Sequence, residues 1–316
     1  MVNGSKNGGL PLLSAALLTN KNAVLRNIPV ITDISRSVDL MRQVGAVVDF
    51  TDHTITLTNG NLNSSELDID IAKQMRASIF FTVPVLARTG EVKFPHPGGC
   101  VIGERPINLF IEGYTALGAK VTNDNHYYHI TATQLSGVEF TFPIISVAGT
   151  ENMMMLATIA EGVTTLINAA MEPEVVMLAD FLNKCGALIS GAGTSVITIR
   201  GKTKYNPDPI DFTNIPDRLE AGSFVILGNA LNSEIEISEC DPAHLSTLLA
   251  VLRKIGCKIE VGGSSIKTFT HGELTPTSIK THEYPGFVTD LQSPMAVLLT
   301  QALGQSFVHE TIFEGR

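Results

Sequence analysis

Three stretches of the chain hold residues whose types and spacing can do chemistry. The most specific is Pro95-His96-Pro97-Gly98-Gly99-Cys100-Val101-Ile102-Gly103-Glu104-Arg105-Pro106. Two glycines before a cysteine, with prolines on both sides, describe a loop able to act as a lid rather than a packed strand. Arg105 stands close enough in sequence to lower the thiol's pKa or to hold an anion beside it. The second stretch, Gly4-Ser5-Lys6-Asn7-Gly8-Gly9, precedes an apolar helix. Backbone N–H groups at a helix start, with one ammonium, make an anion site. The same residues also read as an ordinary N-terminal cap, and the spacing is not that of a Walker loop. The third, Pro285-Gly286-Phe287-Val288-Thr289-Asp290-Leu291-Gln292, leads into a further helix. Asp290 there is either an N-cap or a carboxylate able to take a proton.

Other reactive types fit packing. Cys185 and Cys257 close helices on apolar patterns, and Cys240 is read the same way. Met153, Met154 and Met155 fall inside an apolar helix. Glu172 and Glu174, around Pro173, suit a helix start as well as a site. The eight histidines show no metal-ligand spacing, and the four cysteines form no CxxC pair. Neither zinc nor a disulfide framework is therefore expected.

The elements that must position these residues repeat. Gly45-Ala46-Val47-Val48, Gly118-Ala119-Lys120-Val121, Gly186-Ala187-Leu188-Ile189 and Gly256-Cys257-Lys258-Ile259 are spaced by 73, 68 and 70 residues. Each glycine suits a left-handed helix C-cap followed by a strand. Around them the same order recurs. An apolar helix (Leu10 to Leu18, Met153 to Glu161) precedes a short strand (Val24 to Ile28, Thr164 to Ile167, Glu234 to Ile237). An amphipathic helix follows (Val38 to Val44, Ile107 to Leu117, Val175 to Cys185, His244 to Ile255), then two closing strands such as Val47 to Phe50 and Thr54 to Leu57. Periodicity supports these assignments and gives βαβαββ units, counting a lead-in strand. A fifth unit starts near Pro294 with a helix, Met295 to Leu303, and a strand, Ser306 to Glu310; the same residues also read as a C-terminal helix and strand docked on the fourth unit. The remainder of a fifth unit is not seen before Arg316. The Pro-, Asn- and Asp-rich run Tyr205 to Pro216 reads as a break between domains. The expected organisation is residues 5–214 as three complete units, and 215–316 with 1–4 as a partial second domain of one and a half.

With 316 residues, 44% apolar and 17% charged, the chain can bury two cores. A net charge of −9 argues against a nucleic-acid partner. No apolar run is long enough to span a bilayer. The first residues lack the apolar core of a signal peptide, so a cytoplasmic location is expected.

In order along the chain, Lys6-Asn7, Met75-Arg76-Ala77-Ser78, the Gly98 to Pro106 loop, Ser146 to Met155, Glu172-Pro173-Glu174, Pro216-Asp217-Arg218, Thr289 to Gln292 and Phe313 to Arg316 resemble the UDP-N-acetylglucosamine 1-carboxyvinyltransferases. The likeness covers essentially the whole chain. The cysteine loop separates it from EPSP synthase, which shares the fold but lacks that loop.

The resemblance implies an α/β fold of two inside-out, barrel-like domains, each of three βαβαββ units, with substrates in the cleft between them. Six units of about 70 residues need roughly 420, so the second domain is expected to be incomplete after Arg316. The implied reaction moves the enolpyruvyl group of phosphoenolpyruvate to the sugar 3-hydroxyl of UDP-N-acetylglucosamine and releases phosphate, the first committed step of peptidoglycan precursor synthesis. By the same resemblance, Cys100 is the general acid and Asp290 the group that takes the hydroxyl proton. Lys6, Asn7 and Arg105 bind phosphoenolpyruvate. Arg76, Arg105, Pro106, Ile107, Asn108, Leu109, Ser146, Val147, Ala148, Asp290 and Ile312 bind the nucleotide sugar. No cofactor, metal or obligate protein partner is implied.

Three departures stand out: Ala148-Gly149 reverses the usual Gly-Ala, Ile144 replaces a lysine of some members, and Asn108 replaces a common acidic residue. Two other readings stay open, a non-catalytic nucleotide-sugar-binding protein and an EPSP-synthase-like transferase.

Overall fold

The structure is a computed structural model that describes residues 1–58, 60, 62–96, 107–124, 126–206 and 208–315. The chain divides into two compact units. One holds the described residues between Lys6 and Ile215; the other holds Met1–Ser5 with the chain from Pro216 onward. Each has its own hydrophobic core.

The larger unit is three repeats of one design. In the first, helix Lys6–Leu18 leads to strand Ala23–Arg26, helix Thr32–Gln43 and the hairpin Val47–Thr51 with Thr54–Thr58. The second has a short helix, Ile69–Ala72, a 3-10 turn, Arg76–Phe81, and helix Thr82–Thr89. Strand Glu91–Pro95, helix Asn108–Ala116 and strands Lys120–Asn123 and Tyr127–Thr131 complete it. The third runs from strand Glu139–Thr141 through helix Val147–Ile159, strand Val163–Ile167 and helix Pro173–Lys184 to strands Leu188–Ser190 and Val196–Arg200.

Each sheet has the same order: the first strand lies against the last, and the last against the one before it. A lead-in strand pairs parallel to the first. In the third repeat it is Glu139–Thr141, beside Val163–Ile167. In the first repeat it is Ile210–Thr213, in register from Ala23↔Ile210 to Arg26↔Thr213. The run expected to be a break therefore contains a strand. Its strand residues, Ile210-Asp211-Phe212-Thr213, are β-formers apart from Asp211, and Asp211 pairs with Arg26 at 2.9 Å. The chain so returns to its first repeat and closes the three on themselves.

Helices sit inside and sheets are open; no barrel closes among the described residues. Gly8 through Leu18 of the first helix are all buried, as are Gly149 through Thr158 of the third repeat's first helix. The first helix is apolar almost all round, as read from the sequence, whereas the other also buries Thr150, Glu151, Asn152 and Thr158. The second helices are amphipathic, as in Thr32–Gln43, where Ile34, Val38 and Met41 face inward. Buried polar side chains join the inner elements: Ser14 donates to the Phe80 carbonyl at 2.7 Å, and Asn152 to the Ile79 carbonyl at 3.2 Å.

The four glycine caps are left-handed, with φ of 110°, 100°, 102° and 106° at Gly45, Gly118, Gly186 and Gly256. Each closes its helix by the same two bonds, such as Gly45 N–H to Arg42 O and Ala46 N–H to Met41 O. The small residue that follows is buried each time, the apolar contact that accompanies this cap.

Boundaries differ from expectation in places. The first helix begins at Lys6, not Leu10. Gly8 and Gly9 lie inside it, and helix Thr32–Gln43 packs close to the second: a Cβ on Gly9 would stand 3.2 Å from Ile34 Cδ1. The helical stretch before Glu91, absent from the sequence reading, is interrupted by a 3-10 turn and Pro84. In the smaller unit His244–Ile255 is a 3-10 turn, Pro242–Leu245, followed by helix Ser246–Lys254.

That smaller unit has helix Arg218–Ala230 and strands Ile235–Ser238, Lys258–Val261 and Ser265–Phe269 as its first repeat. The N-terminus docks on it: Val2 N–H donates to Ser238 O at 2.9 Å, and Asn3 makes two 2.9 Å bonds to Glu220. The next repeat starts earlier than expected, at strand Ser278–Lys280. Its helix is Gln292–Leu299 rather than Met295 to Leu303, and strand Phe307–His309 pairs parallel to Ser278–Lys280.

Candidate functional site

In the larger unit the expected site residues lie at the starts of helices and of a 3-10 turn. Lys6 is the first residue of Lys6–Leu18, with Asn7 next to it. Its ammonium pairs with Asp33 Oδ2 at 2.8 Å. Arg36 reaches the other Asp33 oxygen at 4.0 Å and donates to the Gln74 carbonyl at 3.0 Å. That carbonyl lies two residues before Arg76, which opens the turn Arg76–Phe81. A line of charge, Lys6–Asp33–Arg36, therefore runs toward Arg76.

Ser146 caps helix Val147–Ile159, its hydroxyl accepting from Gly149 N–H at 3.1 Å. Val147 and Ala148 follow in the first turn, half-buried. Asn108 and Leu109 open helix Asn108–Ala116, whose N-cap residue, Ile107, supplies no side-chain cap. The two helix starts are adjacent, since a Cβ on Gly149 would come within 2.9 Å of Leu109 Cδ2. The reversed Ala148-Gly149 pair thus puts the smaller residue against Leu109 and the methyl one position earlier. Two helix N-termini side by side make an electropositive patch of N–H groups suited to a diphosphate.

In the smaller unit Asp290 lies in the 3-10 turn Thr289–Leu291 and is exposed. It caps neither that turn nor the following helix, whose cap positions are Val288 and Leu291. Glu310 ties this turn to Ile312. It accepts from Thr289 Oγ1 at 2.8 Å and from the N–H groups of Ile312 and Phe313 at 2.7 and 3.1 Å. Burial pushes its carboxyl up, but the Ile312 N–H, the Thr289 hydroxyl and the Phe313 N–H together hold it below the ordinary value. Arg218, buried, lies over the Tyr284 ring at 5.4 Å, on the segment that leads to Asp290.

Sequence reasoning missed Asp33, Arg36 and Glu310, which carry no motif and act through contacts between elements. It also missed a buried carboxyl. Glu151, 2% exposed, sits one turn into helix Val147–Ile159. Thr150 beside it accepts from Ala170 N–H at 3.0 Å, which fastens this turn to the segment carrying Glu172 and Glu174. Burial, then the charges of Glu174 and Glu172, push the Glu151 carboxyl well above its ordinary value. Glu172 is an N-cap residue without a side-chain cap, and Glu174 is buried.

Cys185, Cys240 and Cys257 are buried. Burial pushes the first and last thiols up to about 12 and raises Cys240 as well. Cys100, Arg105 and Pro106 lie outside the described residues. No group of three His, Cys, Asp or Glu among the described residues is placed to hold a metal. No described helix is long and apolar enough to cross a membrane.

The EPSP synthase (3-phosphoshikimate 1-carboxyvinyltransferase) family model matches residues 1–316. The chain is 43% identical, over all of its length and 73% of the relative's, to the UDP-N-acetylglucosamine 1-carboxyvinyltransferase of Koribacter versatilis. It is 41% identical to that of Bdellovibrio bacteriovorus, over 99% of this chain and 75% of the relative. Among solved structures, the enolpyruvyl transferase NikO from Streptomyces tendae aligns with a TM-score of 0.89 at 20% identity, covering 100% of this chain and 75% of that one. EPSP synthase from Acinetobacter baumannii aligns at 0.70 and 14% identity, over 98% and 72% of the two chains.

Proposed function

The chain belongs to the EPSP synthase family, among its UDP-N-acetylglucosamine 1-carboxyvinyltransferases, and on that premise we propose how its residues carry the reaction. It is an enolpyruvyl transferase, moving the enolpyruvyl group of phosphoenolpyruvate to the 3-hydroxyl of UDP-N-acetylglucosamine with release of phosphate.

The observation that carries the binding proposal is the pair of adjacent helix starts at Asn108-Leu109 and Ser146 to Ala148. Their N–H groups receive the diphosphate of the nucleotide sugar, and the resemblance adds Arg76, Arg105, Pro106 and Ile107 as contacts to the same ligand. Asp290 and Ile312, joined through Glu310, hold the sugar. Phosphoenolpyruvate carries close to three negative charges, and Lys6, Asn7 and Arg105 meet them.

In the first step the sugar oxygen attacks C2 of phosphoenolpyruvate. Asp290 takes the hydroxyl proton and Cys100 delivers one to C3, giving a tetrahedral ketal. Loss of a C3 proton and departure of phosphate then regenerate the double bond in the product. We further propose that this product feeds peptidoglycan precursor synthesis in the cytoplasm.

The test is phosphate release from phosphoenolpyruvate with either UDP-N-acetylglucosamine or shikimate 3-phosphate as acceptor. Turnover with the nucleotide sugar, abolished in Cys100→Ala and Asp290→Asn, is the expected result. Turnover with the shikimate acceptor alone overturns the substrate, and full activity in both variants overturns the roles.

A further inference from the structure

Helix Thr32–Gln43 sets its first turn beside the start of helix Lys6–Leu18. Asp33, the second residue of that helix, reaches the Lys6 ammonium at 2.8 Å. A carboxylate in this place has two effects. It holds a flexible four-carbon stem before any ligand arrives, which lowers the ordering cost of binding. It also opposes the field that an anion such as phosphoenolpyruvate needs. Asp33 and Lys6 together are neutral.

Arg36 offsets the second effect. It stands one turn along the same helix, with Nη1 4.0 Å from Asp33 Oδ1, while Lys6 takes Oδ2. Two cations around one carboxylate leave one positive charge in excess. The Arg36 and Asp33 side chains are only 33 and 29% exposed, so their field is screened less than that of an open surface pair.

The same guanidinium nitrogen has a second partner. Nη1 donates to the Gln74 carbonyl at 3.0 Å, in the link between helix Ile69–Ala72 and the turn Arg76–Phe81. Gln74 is held from its other side as well, its amide donating to the Asp70 carbonyl at 2.7 Å. One residue on, buried Met75 has its sulfur 3.7 Å from Ser37 Oγ, again on helix Thr32–Gln43. Arg76 follows, opening a turn without a side-chain cap. The backbone that enters Arg76 is therefore fixed from helix Thr32–Gln43, and Arg36 is the charged part of that contact.

We propose that Arg36 is a positioning residue for both substrates. Through Asp33 it keeps the Lys6 ammonium placed, and its surroundings net positive, for phosphoenolpyruvate. Through the Gln74 carbonyl it fixes the turn from which Arg76 meets the nucleotide sugar. It acts by way of these partners and needs no contact with either ligand. The inference rests on the proposed roles of Lys6 and Arg76.

The experiment uses the full 316-residue chain. It measures KM for phosphoenolpyruvate by phosphate release and Kd for UDP-N-acetylglucosamine by calorimetry. In Arg36→Ala each constant is expected to rise about fivefold, the scale of a partly exposed charge contact. Turnover at saturation should stay within about twofold of native, since the loss is one of binding. Arg36→Lys keeps the charge beside Asp33 and should return KM for phosphoenolpyruvate to within about twofold of native. Arg36→Met, which keeps an apolar stem, takes the place of Arg36→Ala if that variant unfolds. Unchanged constants in the uncharged variant overturn the proposal. So does an Arg36→Lys chain as impaired toward phosphoenolpyruvate as the uncharged one, which is the result a merely structural role gives. Lys6→Ala and Arg76→Ala are measured alongside. If each leaves the constant of its own ligand unchanged, the reading of Lys6 and Arg76 as ligand contacts fails and takes this inference with it. If they shift those constants and Arg36→Ala does not, this inference alone fails.

Discussion

Replacing Glu151 by glutamine should stabilise the larger unit at neutral pH while leaving it nearly unchanged in mild acid. The Glu151 carboxyl is 2% exposed, its Oε1 has no hydrogen-bond partner among the described residues, and it lies in the field of Glu174 and Glu172. All of this disfavours the charged form, so the folded-state pKa stands well above the ordinary 4.5. The sign follows. Below the ordinary value both folded and unfolded chains hold the proton, and the group contributes nothing to pH dependence. Above it the unfolded chain releases the proton while the folded chain keeps it, so stability falls as pH rises, until the folded value is passed. The slope for one such group is about 1.4 kcal/mol per pH unit. Glutamine is neutral at every pH and close in shape to the protonated acid, so it removes the slope. The assay is hydrogen exchange at the amides of helix Val147–Ile159 in both proteins between about pH 5 and 7. Intrinsic exchange and all other titrations cancel in the ratio. Protection in Glu151→Gln should gain on the native chain by up to about tenfold per pH unit. A ratio that stays constant with pH, or one that falls, would refute the reasoning and mean that Glu151 is ionised in the fold.

Three further outcomes are expected. Glu310→Ala unties the Asp290 turn from Ile312 and should weaken UDP-N-acetylglucosamine binding by about 1 kcal/mol in calorimetry. Because the Glu310 carboxyl is held below its ordinary value, the native chain should lose the same affinity as pH falls through that folded value, whereas the variant should not. Gly201→Ala sets a Cβ 1.9 Å from the Ala160 carbonyl oxygen; two backbones cannot both yield, and a loss of about 3 kcal/mol is expected in denaturant unfolding. An unchanged midpoint would mean that the contact is not made in solution. A disulfide reagent at mild alkaline pH should find one fast thiol in the native chain, Cys100, since burial raises Cys185, Cys240 and Cys257; a fast thiol persisting in Cys100→Ser would contradict this.

The repeat and the caps were legible because they are local. Left-handed glycines at 45, 118, 186 and 256 need only their own helix ends to be recognised. All-round apolar helices and alternating strands are likewise visible within a dozen residues. What was not legible is carried by partners distant in sequence. Ile210–Thr213 becomes a strand because Ala23–Arg26 lies 187 positions away waiting for a parallel neighbour, and nothing in a Pro- and Asp-rich run announces that. Helix Lys6–Leu18 holds Gly9 where Ile34 comes close, a packing reason that local propensity opposes. Asp33 and Glu310 look like ordinary surface carboxylates until the fold sets Lys6 beside one and Thr289 with Ile312 beside the other.

The placement of the site follows from the same repeat. An inner helix buried on every side can present no functional face, so only its ends reach substrate. Its N-terminus carries unpaired N–H groups and a positive dipole, which suits anionic ligands such as a diphosphate or phosphoenolpyruvate. Each repeat therefore offers one such position, and chemistry-bearing residues should recur with the period of the fold. The proposed site residues Lys6, Arg76, Ser146 and Asp290, with Arg218 between the last two, follow one another at steps of 70, 70, 72 and 72 residues. Each lies in the first turn of a helix or 3-10 segment, or caps its start. The residues differ, a lysine, two arginines, a serine and an aspartate, so a search for repeated identity passes over them. The position repeats because the backbone physics does, and the side chain placed there is free to vary with what each repeat must hold. Arg218, which the sequence motifs left without a role of its own, stands at this position with its guanidinium over Tyr284, on the segment that leads to Asp290.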